Sequence, residues 1–159
     1  MNTEIKPFRG ESLSGSDIDQ MVALFKQLDS DEIVDYGKLG LRMTEVEDFY
    51  FADKIENDVG FIAVCNGKIV GMVSNVDADE YENAMYVSRL VVDNNYRGNG
   101  IGRQLIERAV KNNNARGKRT MLNVSARNDA ALALYKSIGF VIHSHTMVST
   151  DNQTKRNNT

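Results

Sequence analysis

The stretch LVVDNNYRGNGIGRQLIERAV, Leu90 to Val110, places three glycines between an apolar run and an amphipathic one. Glycine loses the most conformational freedom on folding, so three of them where a strand hands over to a helix cost stability. A Walker loop is excluded, because no lysine followed by Ser or Thr completes G-x-x-x-x-G-K-[ST]. The dinucleotide fingerprint G-x-G-x-x-G fails as well: its last position is Arg103 when counted from Gly98 and Leu105 when counted from Gly100. Two readings remain. In one, the backbone N–H groups of this turn converge with the start of the next helix on a pyrophosphate, and Arg97 and Arg103 add charge at either end. In the other, glycine merely shapes a strand-to-helix connection.

The flanking sequence reads as alternating strands and helices. Glu4 to Arg9 predicts a short strand, with Pro7 marking an edge or an end. Ser16 is a candidate cap for a helix carrying Ile18, Met21, Val22, Phe25 and Leu28 at helical spacing. DSDEIVDYGKLG, residues 29–40, reads as an acidic connector to a second helix from about Thr44, its candidate cap, to Ile55. VGFIAVC and KIVGMVSNV flank Asn66-Gly67, a strong short-range hairpin signal. AMYVSRLVV is a third long strand, rich in β-branched and aromatic residues. Beyond the glycine loop, Ile101, Leu105, Ile106, Ala109 and Val110 form a helical stripe that ends near Gly117. RTMLNVSA predicts another strand, and Asn128 or Asp129 caps a short helix bearing Ala131, Leu134, Tyr135 and Ile138. Gly139 follows as its stop, and FVIHSHTMVS resumes extended structure before a polar tail, residues 150–159, expected to be disordered. This order gives an α/β or α+β class, with an antiparallel meander in the middle and crossover units after it.

Composition narrows the partners. The chain has 159 residues, the size of one domain, with 42% hydrophobic and 26% charged residues, ordinary values for a soluble globular protein. A net charge of -3 and no long basic block argue against general nucleic-acid binding. The single Cys65 excludes an internal disulfide framework, fits a reducing compartment and reads as a small core residue. No window approaches a membrane span and the N-terminus lacks an apolar leader, so a cytoplasmic protein is the expectation.

The combined pattern resembles the GNAT superfamily of N-acetyltransferases. Arg97-Gly98-Asn99-Gly100-Ile101-Gly102 matches its hallmark [RQ]-x-x-G-x-[GA] after a central strand. NDAALALYKSIGF resembles a second signature, N-x-x-A-x-x-L-Y-x-x-x-G-F, through Asn128, Ala131, Leu134, Tyr135, Gly139 and Phe140. The resemblance covers Gly60 to Phe140 well, the first helices by element order only, and the C-terminal end poorly. It implies a mostly antiparallel twisted sheet of six to seven strands with about four helices, in one domain over residues 1–149. It further implies acetyl-CoA as co-substrate, an amine acceptor and, as often in the family, a homodimer; no metal is expected.

By the same resemblance, the N–H groups of Arg97, Gly98, Asn99, Gly100, Ile101 and Gly102, with Arg97 or Arg103 nearby, cradle the pyrophosphate. The backbone at Leu90, Val91 and Val92 pairs with the pantetheine arm as an added strand. Asn128 contacts the cofactor, and Tyr135 protonates the departing thiolate, a phenol of pKa ~10 being protonated at neutral pH. Without that signature, Tyr135 reads as a packing residue on its helix stripe. Many relatives place a Glu on the central strand just before the paired valines, whereas this chain has Ser88 and Arg89 there, so a carboxylate base at this position is in doubt. Asp79, Glu80 and Glu82 are alternatives that read equally as a solvated turn. His143 and His145 alternate like a metal pair but lack a third ligand, which favours a surface strand. The acidic segments 29–35 and 77–83 read either as steering charges for a cationic amine or as solvated loops. The rival functions are a non-catalytic acyl-CoA sensor and a protein using the glycine turn for another phosphate. The short C-terminal run leaves the last strand stunted or supplied by a partner subunit.

Overall fold

A computed structural model describes residues 2–44 and 46–149. Five strands form one sheet in the order β1 (Thr3–Arg9), β2 (Val59–Cys65), β3 (Lys68–Asp77), β4 (Ala84–Val92), β5 (Arg119–Met121). The first four are antiparallel neighbours, and β4 and β5 run parallel. Helices α1 (Gly15–Gly37) and α2 (Asp48–Asn57) precede β2, while α3 (Ile101–Ala115) and α4 (Asp129–Ser137) flank β5 in sequence. No described helix is long and apolar enough to cross a membrane.

The local signals explain most of these elements. Asn66 and Gly67 take φ of 51° and 77°, the two left-handed positions that a two-residue hairpin needs, and Cys65 pairs with Lys68 across them. Strand alternation then divides the apolar residues between two faces. Phe61, Ala63, Val73, Ile101, Leu105 and Ala109 belong to the core under α3. Met21, Phe25, Phe51, Ile55, Met72 and Val91 form the core under α1 and α2. Cys65, 1% exposed, is a core residue on the α3 side.

Several boundaries differ from the sequence expectations. The cap of α1 is Ser14, which accepts from Asp17 N–H at 3.1 Å while the Asp17 carboxylate accepts from Ser14 N–H at 3.3 Å. The segment read as an acidic connector is helical to Gly37, because no glycine or proline interrupts it before that point. Conversely α2 starts only at Asp48; its cap position is Glu47, with no side-chain cap bond, and Thr44 does not cap it. The sheet has five strands where six to seven were expected. β5 is three residues long, and among the described residues the run from Phe140 to Ser149 joins no ladder, with Val141 and Met147 85% and 91% exposed. The mixed α/β fold class is unchanged by that shorter sheet. The polar tail from Thr150 lies outside the described residues.

Candidate active site

The site begins where β4 loses a neighbour. Its ladder to β5 covers only Ala84–Arg119, Met85–Thr120 and Tyr86–Met121. From Val87 to Val92, that edge of β4 has no paired strand among the described residues, while the other edge stays zipped to β3. Unpaired strand backbone is a template for anything that can add as a strand. Val91 is buried in the α1 core, whereas Leu90 and Val92 pack against the α3 core, so side chains fix this strand from both faces.

The open edge runs into the head of α3. Gly98 and Gly100 have φ of 79° and 75°, and Gly100 is the N-cap residue with no side-chain cap bond. A Cβ at either glycine would have nothing within 4 Å, so the left-handed backbone demands glycine there and crowding does not. Gly102 has an ordinary backbone, and its would-be Cβ sits 3.7 Å from Val92. Ile101, 1% exposed, anchors the helix start in the core. Asn99 braces the turn from within by donating to the Tyr96 carbonyl at 2.9 Å. The result is a helix N-terminus with its orphan N–H donors uncapped by any side chain, suited to an anion.

The two arginines expected at the phosphate both have protein partners. Arg97 reaches Asp31 of α1 at 2.9 Å, and Arg103 reaches Glu107 at 3.3 Å and Ser137 of α4 at 2.7 Å. Asp31 belongs to a polar stripe on α1 that the sequence reading missed because part of it looked like a connector. Gln27 donates to the Val92 carbonyl at 2.8 Å and accepts from Asn94 N–H at 3.0 Å. Four residues on, Asp31 holds Arg97; four further, both oxygens of Asp35 take Arg127 at 2.9 Å. The i, i+4, i+8 spacing was the available signal. It ties α1 to the end of β4, the glycine turn and the loop before α4. Hydrogen bonds from Arg127 and then Ser125 hold the Asp35 carboxyl below the usual carboxylate range.

Helix α4 explains the second sequence signature. Asn128 caps it by accepting from Ala131 N–H at 3.1 Å. At the other end Gly139, with φ of 102°, lets its own N–H reach the Lys136 carbonyl at 3.1 Å and Phe140 N–H reach the Tyr135 carbonyl at 3.0 Å. This is the Schellman closure, and its accompanying side-chain contact is Phe140 on Tyr135, ring centroids 5.7 Å apart. The motif therefore fixes Tyr135 by a cap at each end and a ring at its side. Burial pushes the phenol above its ordinary pKa, so it is protonated at neutral pH. Its hydroxyl has no hydrogen bond among the described residues, and none brings it to β4 or the glycine turn.

Other candidates lie elsewhere. Asp79, Glu80 and Glu82 are exposed on the turn before β4, at the strand's end away from the glycine loop. His143 and His145 are exposed, and no group of three potential metal ligands occurs among the described residues. At mid-strand, β4 carries a bulge. Ser74 faces Arg89 and Asn75 faces Val87, leaving Ser88 as the extra residue, its hydroxyl 2.8 Å from that of Ser74. Arg89 lies 4.5 Å from the Phe25 ring. Two carboxyls respond to it. Glu32 is raised by burial and by Asp29 and is partly relieved by Arg89; Asp58 is raised by burial and partly relieved by Arg89, Ser74 and Lys54.

The profile described as "Acetyltransferase (GNAT) family" matches residues 23–140, from mid-α1 through the α4 closure. The chain belongs to the GNAT acetyltransferase family. This GNAT chain is 35% identical over 102 residues to N-acetylaspartate synthetase of Xenopus tropicalis, covering 62% of its own length and 35% of the relative's. It is 48% identical over 61 residues to the N-alpha-acetyltransferase RimI of Mycobacterium tuberculosis, covering 38% and 35%. The chain thus spans about a third of the length of these curated relatives. Among solved structures it resembles the ribosomal-protein-S18-alanine N-acetyltransferase of Escherichia coli. There the TM-score is 0.64 at 24% identity, covering 90% of this chain and 80% of that one. That likeness concerns the fold.

Proposed function

We propose that this GNAT chain is an N-acetyltransferase that moves the acetyl group of acetyl-CoA to a primary amine. The observation that carries the reading is continuity: the strand-free edge of β4, where Gln27 holds the Val92 carbonyl, leads through the short turn Asn94–Tyr96 into the uncapped, glycine-built head of α3. An extended pantetheine arm fits the first, and a pyrophosphate fits the second. In this reading the N–H groups from Arg97 to Gly102 hold the pyrophosphate, Leu90 to Val92 pair with the arm, and Asn128 borders it at the start of α4. Arg97 and Arg103 have to exchange part of their protein contacts for phosphate oxygens.

The chemistry makes three demands. The amine must shed a proton, which for a lysine-like amine of pKa ~10.4 costs about 4.6 kcal/mol at pH 7. The amine nitrogen then attacks the acetyl carbon, and the oxyanion needs a donor, for which a backbone N–H near Val92 is available. As the C–N bond forms and the C–S bond breaks, the nitrogen gives up its second proton to water, while Tyr135 gives its proton to the thiolate and recovers one from solvent. With Ser88 and Arg89 in place of a β4 carboxylate, the ammonium proton leaves through water. The named relatives include an N-acetylaspartate synthetase and an N-alpha-acetyltransferase, so kinship alone leaves the acceptor open.

Arg89 in place of that carboxylate also favours a second reading, an acyl-CoA sensor without catalysis. Thiol release from acetyl-CoA with and without amines separates the two. The transferase predicts release that depends on the amine and yields one amide per thiol; binding of acetyl-CoA with no amine-dependent release overturns it.

A further inference from the structure

Arg89 is the only arginine among the described residues that is not exposed. It sits on the central strand beside the β4 bulge, on the face covered by α1, with one side of its guanidinium 4.5 Å from the Phe25 ring. The ring contact satisfies a face of the cation but none of its five N–H donors. Those donors make no hydrogen bond or ion pair among the described residues, although Arg97, Arg103 and Arg127, all more exposed, each have a carboxylate partner. A half-buried fork with free donors is an unmet demand for a planar anion.

Unmatched acceptors flank it. Asp58 is 7% exposed; Ser74 relieves its carboxyl in part, and its Oδ2 has no donor among the described residues. Glu32, half-buried on α1, lies two turns beyond Phe25 on the same helix face and forms no ion pair among the described residues. The α1 face of β4 therefore holds a cation with free donors, a half-buried carboxylate on the helix above it and a sealed carboxylate, Asp58, that adds negative charge from below the surface. A simple cationic amine would be drawn by the carboxylates and repelled by Arg89. A molecule bearing an ammonium and a carboxylate a few bonds apart satisfies both.

We propose that the acceptor is an amine carrying its own carboxylate, an amino acid or an acidic peptide terminus, with Arg89 gripping the carboxylate and Glu32 and Asp58 drawing the ammonium. This rests on the transferase reading above and names its substrate class. Arg89 thereby becomes a specificity residue. It sets which amine dwells beside the thioester, while bond making and proton transfer follow the steps already given.

The test uses the full chain, acetyl-CoA and matched amine pairs: L-leucine against isoamylamine, L-phenylalanine against phenethylamine, L-aspartate against L-aspartic acid diamide. A peptide with N-terminal Asp is compared with the same peptide starting in Asn. The carboxylate-bearing member is expected to win by roughly 10- to 100-fold in kcat/KM, the worth of hydrogen bonds to a charged group. Preference among the free amino acids identifies a small-molecule acceptor, and preference only within the peptide pair identifies a chain terminus. Arg89→Lys should keep part of the preference and Arg89→Gln should abolish it, mainly through the KM of the amine. Should Arg89→Gln unfold, the wild-type pairs and Arg89→Lys still decide. Thermal unfolding with acetyl-CoA runs alongside. If acetyl-CoA stabilises the protein and paired amines react alike, or Arg89→Gln keeps the preference, this inference fails alone. If acetyl-CoA neither stabilises nor reacts, the transferase reading falls and takes the inference with it.

Discussion

The two faces of the sheet are built differently. Under α3 the contact is mostly apolar, with Phe61, Val73, Leu105 and Ala109 closing on one another; Asn113, 0% exposed, donates to Thr120 at 2.9 Å, while its Oδ1 and that of buried Asn75 have no partner among the described residues. Under α1 an equally apolar core around Phe25, Phe51 and Met72 is interrupted at one place by Asp58, Ser74, Ser88 and Arg89, with Glu32 above. Burying polar groups that lack full partners opposes folding. Both faces bury side-chain oxygens without partners among the described residues, but the charged pair Asp58 and Arg89 lies under α1, beside the open edge of β4. Damage on the first face should therefore read out as unfolding, and damage near the second mainly as lost chemistry.

The largest effect expected is on the dry face. Leu105→Ala removes a side chain with 0% exposure from between α3 and the sheet and should cost about 2–5 kcal/mol in denaturant unfolding. A loss under about 1 kcal/mol would mean this face is looser than its packing indicates. Next comes Tyr135→Phe, which keeps the ring against Phe140 and removes the proton. Turnover should fall by roughly 100-fold or more with the melting midpoint nearly unchanged. Unaltered turnover would leave Tyr135 as a packing residue.

Smaller still is Asn128→Ala, which deletes the α4 cap and should destabilise by about 1 kcal/mol, seen as fraying of that helix in hydrogen exchange. The smallest effects carry opposite signs with pH and so sharpen the contrast between a satisfied carboxylate and an unsatisfied one. Asp35 has its pKa lowered from 3.8 by Arg127, so its contribution is present above that pH and is lost as pH falls through the lower folded value. Asp35→Asn should destabilise at neutral pH and converge with wild type in acid. Asp58 has its pKa raised from 3.8 by burial, so its contribution is present below 3.8 and is lost as pH rises through the folded value. Asp58→Asn should therefore stabilise at neutral pH, with the gain vanishing toward pH 4. Paired denaturant titrations across pH check both; the same sign for the two variants would refute the distinction.

What could be read from the sequence was mostly what neighbours along the chain decide. Asn66-Gly67 fixes its own hairpin, Gly100 its own left-handed cap, and Asn128 with Gly139 both ends of α4, because each acts within a few residues. The misreadings involve partners far along the chain. Residues 29–37 looked like a connector because their ties, Asp31 to Arg97 and Asp35 to Arg127, span 66 and 92 positions. The larger sheet was implied by the family resemblance; RTMLNVSA does give a strand, but β5 ends at Met121, and among the described residues the extended run FVIHSHTMVS joins no ladder. Arg89 was visible only as a departure from a pattern. Its surroundings, Phe25, Glu32 and Asp58, come together through packing of α1 against β4 and against α2, whose C-cap is Asp58, and no local signal encodes that packing.

The central claim is that the open edge of β4 and the head of α3 form one site for acetyl-CoA. Thermal unfolding with acetyl-CoA, CoA, NAD and ATP in parallel tests it most directly. Ligand at 100 times its dissociation constant adds about 2.7 kcal/mol, a rise of roughly 5 to 10 °C for a chain of this size. The account predicts that rise with acetyl-CoA and CoA and none with NAD or ATP. No rise with either CoA species, or a preference for NAD or ATP, would contradict it.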